Sequence, residues 1–201
     1  MSHDTEFHVH HDSDAAVGRR ERLGVRLLIV ADGAFLFGMI FSYFYLRNLD
    51  AGGQWLPNGV KRFSTASAWL VALPFVIAAI SHKMGQASKQ TRNLTSIVTF
   101  VVLLVGGYYQ IHQMANMPFL IKDDGGIVSF HGAYASNWVI MAGSGVFHYF
   151  LAAFVALGIL LRNRNTNLPE ELDQWRQKVA QSWFTWCAVA AVLTAITLSI
   201  V

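Results

Sequence analysis

The side chains able to do chemistry in this sequence are few, and the first of them is Asp32. It stands in the apolar run Leu27 to Leu46. On a helix its neighbours three and four positions away are Leu28, Ile29, Phe35 and Leu36, so no cation of its own segment faces it. A carboxylate in an apolar span is expensive, and is kept where it pairs, faces a wet cavity or is protonated. Two readings stay open: a functional acid, or a shallow structural acid tied to an Arg or a backbone group. Imidazoles come next. His82, His112, His131 and His148 are the candidate haem or metal ligands, and only His148 lies well inside an apolar run. A di-haem site wants histidines at matching depth, and His112, near a span end, does not match His148. His3, His8, His10 and His11 could collect a divalent metal, although a solvated polar tail is the plainer reading. Gln110, which follows Gly106, Gly107, Tyr108 and Tyr109, suits an interhelical hydrogen bond. No acid–base pair, nucleophile constellation, haem-attachment CxxCH, phosphate loop or dinucleotide fingerprint occurs. The single Cys187 excludes an intrachain disulfide and a cysteine-built metal cage.

The elements that must position these residues follow from composition. The 201 residues are 54% hydrophobic and 13% charged, whereas a soluble domain averages roughly 25% charged. A soluble globule, a disordered chain and a nucleic-acid binder are therefore disfavoured. A hydrocarbon core of about 30 Å takes about 20 helical residues, and five stretches approach or meet that length. They run from Leu27 to Leu46, Ala66 to Ile80 extended into Met84, Leu94 to Met114, Trp138 to Leu161 and Val179 to Val201. Residues 1–22, rich in His, Asp and Arg, read as a mobile polar tail ahead of a five-helix membrane domain spanning 23–201. Lys and Arg number four before span one, three between spans two and three, and four between spans four and five. The opposite side holds only Arg47, Lys61, Arg62 and Lys122. This asymmetry predicts a cytoplasmic N-terminus and a periplasmic C-terminus, hence a multi-pass protein of the bacterial inner membrane.

In lipid, helices associate where small residues let backbones approach. Such stripes are Ala34, Gly38 and Ser42 in span one, Ala152 and Ala156 in span four, and Ala191, Ala195 and Ser199 in span five. Packing within the chain is the expectation for all three. The aromatics Phe35, Phe37, Phe41, Tyr43, Phe44 and Tyr45 crowd span one, so some of them must face lipid or another protein. Pro74 interrupts span two, but no matching broken pair or inverted repeat supports a transporter.

The segment from Asp32-Gly-Ala-Phe through Ser-Tyr-Phe-Tyr-Leu-Arg47, followed by Ala-Gly-Gly-Gln-Trp-Leu-Pro57, resembles the first helix and loop of five-helix subunit III of bacterial haem-copper oxidases. In that family an acid, usually Glu, precedes Phe, Gly, a Tyr-Phe pair and an Arg at fixed spacing, then a loop with Gly-Gly and Trp. Asp32, Phe35, Gly38, Tyr43, Phe44, Arg47, Gly52, Gly53 and Trp55 fit those places. The departures fall at polar positions. Gln110 stands where the family usually has Glu. Of two span-four histidines the second matches His148 and the first is Gly145. Trp183 to Ala188 keep the aromatics but not the ionisable groups of span five.

The resemblance implies an all-α subunit without a cofactor of its own, beside a catalytic subunit I that holds haem and copper and with subunit II in the complex. It implies spans one and two splayed from the other three in a V, with phospholipid in the cleft. Asp32, Gln110 and His148 then become lipid-cleft or proton-related residues, and Arg47 and Trp55 become anchors at the outer interface. The same scaffold would also serve a nitric oxide reductase complex. A haem b membrane anchor using His148 and His112, and a proton-linked transporter centred on Asp32, belong to different classes.

Overall fold

A computed structural model describes residues 13–50, 52–53, 55–56, 61–87, 89–122, 128–130, 132–163 and 169–200. The tail histidines and His131 lie outside them. Among the described residues five helices are long and apolar enough to cross a membrane: α1 (Asp14–Asn48), α2 (Thr65–Gln86), α3 (Lys89–Ala115), α4 (Gly132–Asn163) and α5 (Glu170–Ser199). Between α3 and α4 the chain adds a short antiparallel hairpin, β1 (Leu120–Lys122) on β2 (Val128–Phe130), in register Leu120↔Phe130.

Helices α1 to α4 outrun the apolar stretches that announce them at both ends, and α5 does so at its start. The reason lies in the ends, where polar residues close the backbone's unpaired donors and carry the helix past the hydrocarbon. The Ser13 side chain caps α1 by accepting from the Ala16 N–H, and Ser64 caps α2 through the Ser67 N–H. Helix α5 starts after Pro169 with Glu170, Glu171 and Asp173 in its first turn, where the helix dipole favours acids. The polar segment 14–22, expected to be part of a mobile tail, is thus the first part of α1. It is docked: Gly18 lies against the Trp175 ring so closely that a methyl there would collide with it, and Arg176 Nε donates to Glu21 Oε1 at 3.5 Å.

Helix α2 packs on α3 and α5, α3 on α4, and α1 on α5 and, less extensively, α4. Helix α1 makes its main seam with α5. The α3–α4 seam shows why Gly106 and Gly107 are glycines: a Cβ on Gly106 would stand 2.5 Å from the Tyr149 ring. Tyr149 stacks on Phe75 at 3.9 Å and donates its hydroxyl to the Val71 carbonyl on α2. That carbonyl neighbours the Leu70 carbonyl, which Pro74 deprives of its intrahelical donor.

The small-residue stripes divide. Ala152, Ala156 and Ala195 are buried, with Ala191 and Ser199 partly so. Ala34, Gly38 and Ser42, expected to pack within the chain, are exposed, and nothing lies within 4 Å of a Cβ built on Gly38. Helix α1 instead buries Gly33, Leu36, Met39 and Tyr43. These recur at three and four positions, one helical face, and it is this face that meets α5 and α4.

Candidate functional site

Asp32 is brought to two partners on other helices. Its Oδ2 lies 2.8 Å from His148 Nε2 on α4 and accepts the indole N–H of Trp186 on α5 at 2.5 Å. Gly33, the next residue, faces the Trp186 ring with no side chain to intervene. The His148 ring stacks parallel on Trp183, with centroids 5.9 Å apart. Its other nitrogen, Nδ1, is 2.7 Å from the Ser144 carbonyl one turn back along α4. The side chains of His148 and Asp32 are only 9% and 16% exposed.

This geometry determines the proton count. A carbonyl oxygen can only accept, so Nδ1 carries a hydrogen. The contact between Nε2 and Oδ2 is then a hydrogen bond only if one proton lies between the two atoms. Whichever atom holds it, imidazole and carboxyl together carry no net charge. That is how an acid is tolerated in an apolar span: the charge is cancelled locally, and the remaining polar atoms are bonded. Both nitrogens of His148 are thereby committed. A haem or metal would need a free imidazole lone pair, and His148 has none to give. His112 lies on an exposed face of α3. Among the described residues no group of three or more His, Cys, Asp or Glu converges as a metal site.

Gln110 is separate from this pair but near it. It is 3% exposed, and its Oε1 would be 3.4 Å from a Cβ on Gly145, less than one turn from His148. Its amide makes no hydrogen bond among the described residues. Gln110 and His148 line one narrow cavity of about 50 Å³ in the centre of the bundle.

Arg47 and Trp55 lie at the end of the bundle where α1 terminates. The Trp55 N–H donates to Asp50 Oδ1 at 3.0 Å, and the Trp55 carbonyl accepts from the Tyr134 N–H at 3.0 Å. The Trp55 ring sits edge-on to Tyr43 and Tyr134, and Phe63 stacks on Trp138 at 4.3 Å. Trp55 thus ties the first loop to the start of α4. Arg47 is half-buried in the last turn of α1, the end of the helix dipole that favours a cation.

The opposite end is polar, and of its residues the sequence singled out only His82, as a candidate ligand and not as part of a network. His82 Nε2 and Gln86 Nε2 both reach the Gln177 carbonyl, at 3.3 and 3.2 Å. Arg92 pairs with Asp173 at 2.7 Å, and Asn163 donates to Ser96 Oγ at 2.8 Å. These residues come from four helix ends, those of α2 and α4 and the starts of α3 and α5, with no shared spacing to reveal them. Trp186 was visible only as an aromatic; its role as a donor depends on the rotation of α5.

A groove of about 480 Å³ opens between α1 and α4 over α5, lined by Leu28, Phe154 and Gly158, with Arg162 and Arg176 at its polar end. The Trp183 indole N–H beneath it has no acceptor among the described residues. Neither a family model nor a curated protein matches this sequence.

Proposed function

We propose that the chain is a non-catalytic, subunit III-like component of a bacterial respiratory haem-copper oxidase complex, seated in the inner membrane beside the subunit that holds haem and copper. The carrying observation is the convergence of Asp32, His148 and Trp186, from three helices, on one net-neutral cluster. Asp32 opens the segment that resembles the subunit III family, and His148 stands at the second of its span-four histidine places. The two polar departures are also neighbours in space. Where the family has Glu and His, this chain has Gln110 and Gly145 facing each other, so neither loss leaves a charge without its partner.

In this reading the chain stabilises its catalytic neighbour and binds phospholipid and does no chemistry itself. The groove over α5 suits a phospholipid, acyl chains lying on Leu28 and Phe154 and the headgroup beside Arg162, since Arg176 is already paired with Glu21. The basic loops lie at that same end, which the positive-inside rule places on the cytoplasmic side together with the N-terminus. Subunit I and subunit II of the complex are the partners.

The test is co-purification of the tagged full-length chain in mild detergent. A haem-copper subunit I should come down in near-stoichiometric amount. Recovery with the catalytic subunit of a nitric oxide reductase would transfer the same role to that complex, and recovery of the chain alone would overturn both. Stoichiometric haem b in the isolated chain would establish the membrane-anchor reading instead.

A further inference from the structure

We propose that the cavity between the five helices is a water-binding site, in which ordered water bridges Gln110 on α3 to the Ser144–His148 turn of α4. The cavity, about 50 Å³, is lined by the polar residues Ser67, Gln110, Gln113, Ser144, His148 and Thr194 among apolar ones that include Met141 and Cys187. An empty cavity is stable when its wall is wholly apolar, and one with several polar groups holds water. A volume on the order of 10–15 Å³ admits one water centre, so this one has room for a few.

The need for water comes from Gln110. Its amide has two donor hydrogens and one acceptor oxygen, the residue is 3% exposed, and none of the three is met by a described residue. Thr194 likewise has no hydrogen bond among the described residues. A buried amide without partners is strongly disfavoured, most of all in the middle of a bilayer, where no bulk solvent can rescue it. Ser144 completes the site. Its carbonyl is occupied by the Nδ1–H of His148, and its hydroxyl oxygen stands 3.4 Å from that same donor nitrogen, which cannot accept the O–H, so the hydroxyl hydrogen is left for water.

The water cannot pass a proton through His148. Nδ1 donates to Ser144 and Nε2 is engaged with Asp32, so the imidazole has no site left for a third partner. The cavity is therefore a hydration site packed beside the acid–imidazole pair. It is independent of any oxidase partner and is testable in the isolated chain.

Hydroxyl-radical footprinting by X-ray radiolysis, on the full-length chain in lipid nanodiscs, reads this directly, because radicals born from bound water oxidise the side chains beside it. Met141 and Cys187, 2% and 1% exposed, line the cavity; Met39, 8% exposed, does not. Water in the cavity makes Met141 label on the order of tenfold faster than Met39, the same side chain, against the order of their exposure. Gln110→Leu removes the amide and should bring Met141 down to the Met39 rate, and the isosteric Thr194→Val should lower it partway. Equal labelling of Met141 and Met39 in the unaltered chain overturns the proposal, whatever the variants do.

Discussion

Less than one turn apart on α4, His148 and Gly145 each face a polar residue of another helix, and the two meetings are built in opposite ways. At His148 an acid, an imidazole and an indole N–H complete one another, and the charge cancels. At Gly145 there is no side chain to answer Gln110, whose neutral amide is left facing a cavity. The difference shows two solutions to one problem. A charge in an apolar span must find a partner within the protein, because its desolvation is too costly otherwise. A neutral amide costs less, and a small cavity suffices for it.

The largest effect should come from breaking the complete site. Asp32→Ala leaves His148 Nε2 and the Trp186 N–H without an acceptor and should cost about 3–5 kcal/mol, as for removal of one member of a buried pair. Unfolding by SDS in mixed micelles measures it, and a loss no larger than that of an exposed substitution such as Phe37→Ala would show that the cluster holds nothing together. Asp32→Asn, which keeps a hydrogen-bonding group, should lose less than the alanine variant.

Converting the neutral place into a charged one comes next. Gln110→Glu introduces an acid with no partner, at about 2.5 kcal/mol. Adding Gly145→His should recover part of that, a favourable coupling of about 1–3 kcal/mol in a double-mutant cycle. Strict additivity would mean that the two positions do not sense each other, and would remove one support for the subunit III reading.

Smaller changes sharpen the contrast. Trp186→Phe keeps the ring and removes one donor to the acid, and should cost about 1.5 kcal/mol, where the ranges for a neutral and a charged acceptor meet. Tyr149→Phe removes a neutral bond to the Val71 carbonyl and should cost about 1 kcal/mol. If the tyrosine variant proved the more damaging, the α2–α4 bond beside Pro74 would outrank the indole's bond to Asp32.

How much of this was legible follows from what a single sequence can display. Asp32 announces itself because a carboxylate among Leu, Ile and Phe is conspicuous in one dimension. Its partner does not, being 116 residues away on another helix. Ser144, one turn from His148, was within reach of spacing alone. The stripe Ala34, Gly38, Ser42 misled because small residues mark where a backbone can be approached, without saying that anything approaches it. The face beginning at Gly33 won the contact with α5, since it carries Leu36, Met39 and Tyr43 inward and places Asp32 beside His148. The helical start at Asp14 was hidden by polarity, which reads as a tail until Trp175 and Arg176 give that segment a surface to dock on.

By itself the sequence determined that five helices are long and apolar enough to cross a membrane, roughly where each lies, and that a lone acid sits in the apolar stretch of the first. Those properties depend on composition and length along the chain, which is what a hydrocarbon layer selects. Only the tertiary structure decided that α1 leans on α5 and α4, that the acid is paired with His148 and hydrogen-bonded by Trp186, and that Gln110 is left to a cavity. Such pairings depend on the rotation and depth of each helix against its neighbours, and lipid, equally apolar on every side, dictates neither.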